Sequence, residues 1–158
     1  MTILHLHLLL NHIPVVGALV ALLLFGVTLL RRETVSTKFA LAFTAAIAAL
    51  AVVVYFTGGA AENAVEKLAG VTEASIHRHE EAAEITTVAF SIFGGLALLA
   101  LVVFRSKKPP RWIAVAGLVG ALAVSSLMAW TANLGGQIRH SEIRGGTSHQ
   151  QLDRDAGD

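Results

Sequence analysis

Apolar, uncharged residues in this chain are gathered into four long runs. Leu8–Leu30, Phe39–Thr57, Ile85–Phe104 and Trp112–Leu134 contain no Asp, Glu, Lys or Arg. Each is roughly 20 residues long, the length a helix needs to cross about 30 Å of hydrocarbon. A segment surrounded by lipid must satisfy its own backbone hydrogen bonds, so such runs predict helices rather than strands. The expected fold class is all-α: an integral membrane four-helix bundle over residues 1–144, with outer extensions beyond the apolar runs. Residues 145–158 are polar, and their Gly, Ser, Gln and Asp content predicts a disordered tail.

The polar positions between the runs suggest an orientation. Arg31, Arg32 and Lys38 separate the first and second runs. Arg105, Lys107, Lys108 and Arg111 separate the third and fourth, around Pro109 and Pro110. Short basic loops stay in the cytoplasm. The acidic residues fall mostly at the opposite end: Glu62, Glu66, Glu73, Glu80, Glu81 and Glu84 in the middle connection, and Glu142, Asp153, Asp155 and Asp158 after the fourth run. The expectation is a multi-pass protein of the bacterial cytoplasmic (inner) membrane with both termini outside. Met1–Leu10 has no Lys or Arg, unlike the basic leader of a cleaved signal peptide, so the first run is expected to stay.

Composition agrees with a lipid-facing surface. Hydrophobic residues make up 54% and charged residues 15%, against about 25% charged in a soluble domain. A net charge of +1 gives no reason to expect nucleic acid. Cysteine is absent, which excludes disulfides, a thiolate-held iron–sulfur cluster and covalent haem attachment through C-x-x-C-H. That leaves histidine as the evident ligand type.

All seven histidines fall at the outer end of this topology. His5, His7 and His12 open the first helix, His77 and His79 precede the third run, His140 follows the fourth, and His149 lies in the tail. At about 1.5 Å per residue, His7 stands about 36 Å above Arg31, His79 about 39 Å above Arg105, and His140 about 43 Å above Arg111. Three histidines thus reach a similar level, with His12 one to two turns deeper. Pro14 qualifies the position of His7, because it removes a helical hydrogen bond and can kink or start a helix. The stripes running down from His7 (Asn11, Pro14, Ala18, Ala21), His79 (Ala83, Thr86, Phe90, Gly94) and His140 (Gly136, Asn133, Ala129, Ser126) are small or weakly polar and are expected to face the bundle interior. His12 shares its face with His5, Val16, Leu19 and Leu23, which is less decisive.

Two inward imidazoles at one depth suit bis-histidine ligation of haem b. Arg78, Arg139 and Arg144 are candidates to pair the propionates, and Gly135 and Gly136 to leave room for the ring. One haem, or two, near the outer face would make this an electron-transfer protein or subunit rather than a stand-alone enzyme. His7, His79 and His140 are the first axial candidates and His12 the next. A quinone would be a compatible partner, although no residue pattern marks its site; a redox partner or larger membrane complex is expected. A second reading is a non-haem metal site built from His77, Glu80, Glu81 and Glu84 with His7 or His12. A solvated acidic helix start, favoured by the helix dipole, explains those four residues more simply. A third is a non-catalytic anchoring subunit of a larger complex. Hydrolase motifs and phosphate-binding glycine loops are absent. The runs also lack the mid-membrane ionisable groups that transport sites usually need.

The second run ends Y-F-T-G-G-A-A-E (Tyr55–Glu62) and the fourth W-T-A-N-L-G-G-Q (Trp130–Gln137). An aromatic, a threonine and a glycine pair recur, which hints at a duplicated helix pair. Belts of aromatics and interfacial glycines are common enough to account for this without duplication.

H-L-L-L-N-H-I-P (His7–Pro14) resembles the H-P-x-L-V-H-F-P signature of a family of uncharacterised bacterial membrane proteins, with Leu8 in place of its first proline. G-G-Q-I-R-H (Gly135–His140) and Thr57-Gly58 resemble the ends of that family's fourth and second helices. The resemblance spans residues 7–140. It implies a four-helix bundle and, because members are sometimes joined to Rieske-type iron–sulfur domains, a redox setting. It also raises His12, since both histidines of the first motif match.

Overall fold

A computed structural model describes residues 3–31, 34–65 and 71–139 of the chain; side chains are described for 5–31, 34–59 and 71–138. The elements in chain order are α1 (Ile3–Leu10), α2 (His12–Arg31), α3 (Thr34–Val65), α4 (Glu73–Val103) and α5 (Arg111–Arg139). Among the described residues there is no strand. Four spans are long and apolar enough to cross a membrane: His5–Arg31, Thr34–Gly59, Glu73–Val103 and Arg111–Ile138. The protein is a membrane-spanning four-helix bundle.

α1 and α2 form one span interrupted at a single residue, Asn11. Asn11 still donates its backbone N–H to the His7 carbonyl at 2.9 Å. The interruption lies three residues before Pro14, whose ring crowds the Leu10 carbonyl and which has no N–H to give it. The helix therefore starts well before Pro14 and is interrupted at Asn11. The remaining helices outrun their apolar stretches, as expected of the outer extensions. α4 starts where Thr72 turns extended (φ −114°, ψ 142°) and its hydroxyl accepts from the Ser75 amide at 3.3 Å, a standard N-cap. At its other end Phe104 closes α4, and Lys38 donates to the Arg105 carbonyl at 2.8 Å. The Pro109-Pro110 pair then separates α4 from α5.

α2 packs on α3 and α5, and α4 packs on the same two. The bundle is thus a square in chain order, with α2 and α4 on one diagonal. α1 rests mainly on α3. The interior is built largely of small residues around two phenylalanines: Ala18, Ala48, Ala51 and Val124 cluster with Phe90, while Ala21, Ala40, Ala97 and Ala121 cluster with Phe25. Hydrocarbon outside the bundle is as apolar as leucine, so helices associate by close packing rather than by escape from solvent. Gly94 against Ala48 is one such close approach. Leu19, Leu23, Leu30, Phe56, Leu96 and Trp112 point outward, as lipid-facing residues do.

Candidate functional site at the histidine end

His7, on α1, is half-buried. Its Nδ1 lies 3.1 Å from the Thr57 hydroxyl of α3. That hydroxyl already donates its one proton to the Val54 carbonyl at 2.7 Å, so the imidazole must be the donor: Nδ1–H donates and Thr57 Oγ1 accepts. His79, on α4 across the diagonal, is half-buried too. Its Nδ1 lies 3.1 Å from the Thr131 carbonyl of α5, and a carbonyl only accepts. Both rings in their neutral form therefore carry the proton on Nδ1 and leave Nε2 with a lone pair.

Each imidazole also rests on a glycine. A Cβ at Gly58 would lie 3.1 Å from His7 Cε1, and one at Gly135 would lie 3.0 Å from His79 Cε1. Both are tighter than ordinary side-chain contacts, so glycine lets each ring lie against the neighbouring helix. Beneath His79 a second set of bonds joins α4 to α5. The Thr131 hydroxyl donates to the Ala82 carbonyl at 3.2 Å and lies 2.8 Å from the buried Thr86 hydroxyl. One turn below His7, Asn11 Oδ1 is buried without a hydrogen-bond partner among the described residues.

The two halves thus share one construction. A histidine on the first helix of each pair is held by a threonine of the second and lies against a glycine of the second. Residues 7, 57 and 58 do this in the first half and residues 79, 131 and 135 in the second. The aromatic–Thr…Gly-Gly recurrence at the ends of the second and fourth runs thereby acquires a geometric counterpart. The registers differ, since Thr57 and Gly58 are adjacent while Thr131 and Gly135 are four apart.

The other candidates lie elsewhere. His12 is exposed, on the face of Val16, Leu19 and Leu23. Arg78 is exposed, and its Nε donates to the Ala74 carbonyl of its own helix at 3.3 Å. Gly136 is half-buried, and Gly135 meets His79. His77, Glu80, Glu81 and Glu84 are all exposed. Among the described residues no three of His, Asp or Glu come together as metal ligands. The side chain of Arg139, and His140, Arg144 and His149 entirely, lie outside the described residues.

The inward stripes of His7 and His79 are as expected: Pro14, Ala18, Ala21, Thr86, Phe90 and Gly94 are buried. The stripe assigned to His140 is corrected. Ser126, Ala129 and Asn133 are exposed, and α5 turns Ala121, Val124, Ser125 and Met128 inward instead. Smallness and weak polarity do not mark the inner face of a helix whose outer face reaches the headgroup layer.

Residues 38–135 match the family model described as Domain of unknown function (DUF4386). The chain belongs to the DUF4386 family. The matched region holds Thr57, Gly58, His79, Thr131 and Gly135, and begins after the motif that contains His7. No curated protein and no solved structure matches this DUF4386 chain.

Proposed function

We propose that this DUF4386 protein is a b-type cytochrome-like electron-transfer protein of the bacterial cytoplasmic membrane, with both termini outside and the histidine end near the outer face. The observation that carries the reading is the matched pair, His7 and His79. Each imidazole has its Nδ1–H engaged by an oxygen, which leaves the lone pair on Nε2. Iron and zinc ligands in proteins are oriented in this way, by a hydrogen bond from the nitrogen that does not bind metal.

The donor set fits haem better than a bare ion. A bare zinc or iron site needs three or more protein ligands, and the described residues bring together no such group. Porphyrin supplies four nitrogens of its own and asks the protein for two. His7 and His79 are the residues that would hold it; His12 is exposed, and His140 lies outside the described residues. When bound, the group would supply one-electron chemistry at a potential set by its axial ligands and burial.

The chain's own residues do the rest. Thr57 and the Thr131 carbonyl fix the tautomer and the direction of each ring, and they raise the basicity of Nε2. Gly58 and Gly135 let the rings lie close to α3 and α5. The Thr86–Thr131 bond ties α4 to α5 beneath His79, so the second ring sits on a braced helix pair. Arg78, Arg139 and Arg144 are the candidate partners for propionates. The resemblance of residues 7–14 to a family sometimes joined to Rieske domains supports a redox partner or larger complex, with a quinone as one candidate.

The test is a reduced-minus-oxidised absorption spectrum of the purified protein, produced with ample haem. Sharp b-type bands that His7→Ala and His79→Ala each abolish, and His12→Ala leaves intact, are expected. A flat spectrum from folded protein would overturn the reading.

A further inference from the structure

Pro14 has no N–H, so the Leu10 carbonyl four residues earlier lacks its helical donor. The helix is interrupted at Asn11, and α1 stands before the break as a separate helix of eight residues. A helix that short is marginal alone and depends on what it packs against. Yet none of its described side chains, residues 5–10, is buried. His7 and Leu10 are half-buried, and His5, Leu6, Leu8 and Leu9 are exposed. Each of the other four helices buries residues along its length. α1 rests mainly on α3 and touches α2 lightly.

The hydrogen bond from His7 to Thr57 joins α1 to α3, with the ring against Gly58. At the break itself, Asn11 Oδ1 is buried with no hydrogen-bond partner among the described residues. An unpaired buried oxygen opposes the arrangement that buries it. The position of α1 is therefore held against a cost that outward movement relieves. Lifting α1 loses little else. Leu8 and Leu9 already face outward, and at the end of a span they meet the boundary of acyl chains and headgroups wherever α1 stands. His79 is placed otherwise. Its helix runs unbroken from Glu73 to Val103, and Thr131 bonds to Ala82 and Thr86 brace it to α5.

We propose that α1 is a lid on the histidine end of the bundle. It pivots at Asn11, carries His7 off Thr57 and Gly58, and so admits a flat tetrapyrrole to His79 before His7 closes. The identity of the ligand rests on the haem reading above; the hinge does not. Of the two histidines, only His7 stands on a segment that can leave and return without disturbing the interior. No residue of α1 belongs to either buried cluster, whereas α4 contributes Phe90 to one and Ala97 to the other.

The chain has no cysteine, so spin labels can be placed in chosen pairs. Leu9→Cys/Val88→Cys pairs α1 with α4, and Leu19→Cys/Val88→Cys pairs α2 with α4; all three side chains are exposed. Distances are measured by double electron–electron resonance on the full-length, haem-free protein in lipid nanodiscs. The α1 pair should show two distances and the α2 pair one. Thr57→Val should raise the ratio of the longer to the shorter distance about threefold, the worth of one interhelical hydrogen bond in a membrane. Asn11→Leu, which removes the unpaired oxygen, should lower it about fivefold or more. Loading with reduced haem should leave only the shorter distance. The wild-type comparison, with and without haem, needs no variant to fold. A single α1 distance, the same without haem, with haem and in both variants, would overturn the lid; b-type bands in the same sample would leave the haem reading standing. Two α1 distances that bound haem leaves unchanged would also overturn it. Two α1 distances in a protein that takes up no haem would overturn the haem reading, and with it the tetrapyrrole as what the lid admits.

Discussion

The two histidine clamps are alike in plan and unlike in material. His7 is held by a side chain, the Thr57 hydroxyl. His79 is held by the backbone, the Thr131 carbonyl. A side-chain acceptor can be deleted by one substitution, whereas a carbonyl cannot. The same residue type thus serves opposite roles in the two halves. Thr57 orients its histidine directly, while the Thr131 side chain works on Thr86 and Ala82 and braces the helices. If the halves descend from one helix pair, the orientation of the imidazole was kept and the means of fixing it diverged.

The largest expected effect treats the halves as equal. His7→Ala and His79→Ala should each remove haem almost completely, read as the haem-to-protein ratio after purification. A variant of either that kept a full complement would break the pairing. The next substitution separates the halves. Thr57→Val should lower haem affinity about 10–100-fold, the usual cost of losing a partner behind a ligand, measured by competition with apomyoglobin. Thr131→Val should cost far less affinity, because its carbonyl stays. It should instead lower bundle stability by about 1 kcal/mol, the scale of an interhelical hydrogen bond in a membrane, read from unfolding in mixed micelles. Equal affinity losses in the two variants would refute the distinction.

Smaller effects are expected at the glycines. Gly135→Ala should disturb the low-spin signal in electron paramagnetic resonance more than Gly58→Ala, because its Cβ would meet His79 at 3.0, 3.3 and 3.6 Å while the other meets His7 at 3.1, 3.6 and 3.8 Å. Least of all, His12→Ala and His77→Ala should leave the spectrum as it was, since both side chains are exposed. Bleaching by His77→Ala would move the ligand to the other face of α4.

The spans, and the gathering of His5, His7, His12, His77 and His79 at one end of the bundle, were legible because charge and length are one-dimensional properties. Arg31 and Arg105 mark ends whatever the helices do around their axes. Which face of each helix turns inward was legible for His7 and His79, where Pro14 and Gly94 have clear packing consequences. It was not legible for α5. Both faces of a lipid-embedded helix are apolar, so the contrast that reveals a buried face in water is missing. Ser126 and Asn133 looked like interior residues by size and polarity, yet Met128 and Val124 fill that position. The clamps were half visible. The recurring threonine and glycine pair showed in the sequence, but that one threonine would act through its hydroxyl and the other through its carbonyl depends on the register between helices.

The break at Asn11 has a bearing on biogenesis. It divides the first span into a twenty-residue anchor and an eight-residue arm. The arm carries His7 and leans on α3 rather than on its own anchor. Insertion of the first span alone therefore delivers His7 to the membrane without a seat. The seat exists only after the second span has crossed, and its counterpart only after the fourth. Acquisition of a prosthetic group would then come last in the life of the nascent protein, and would report that every span is in place.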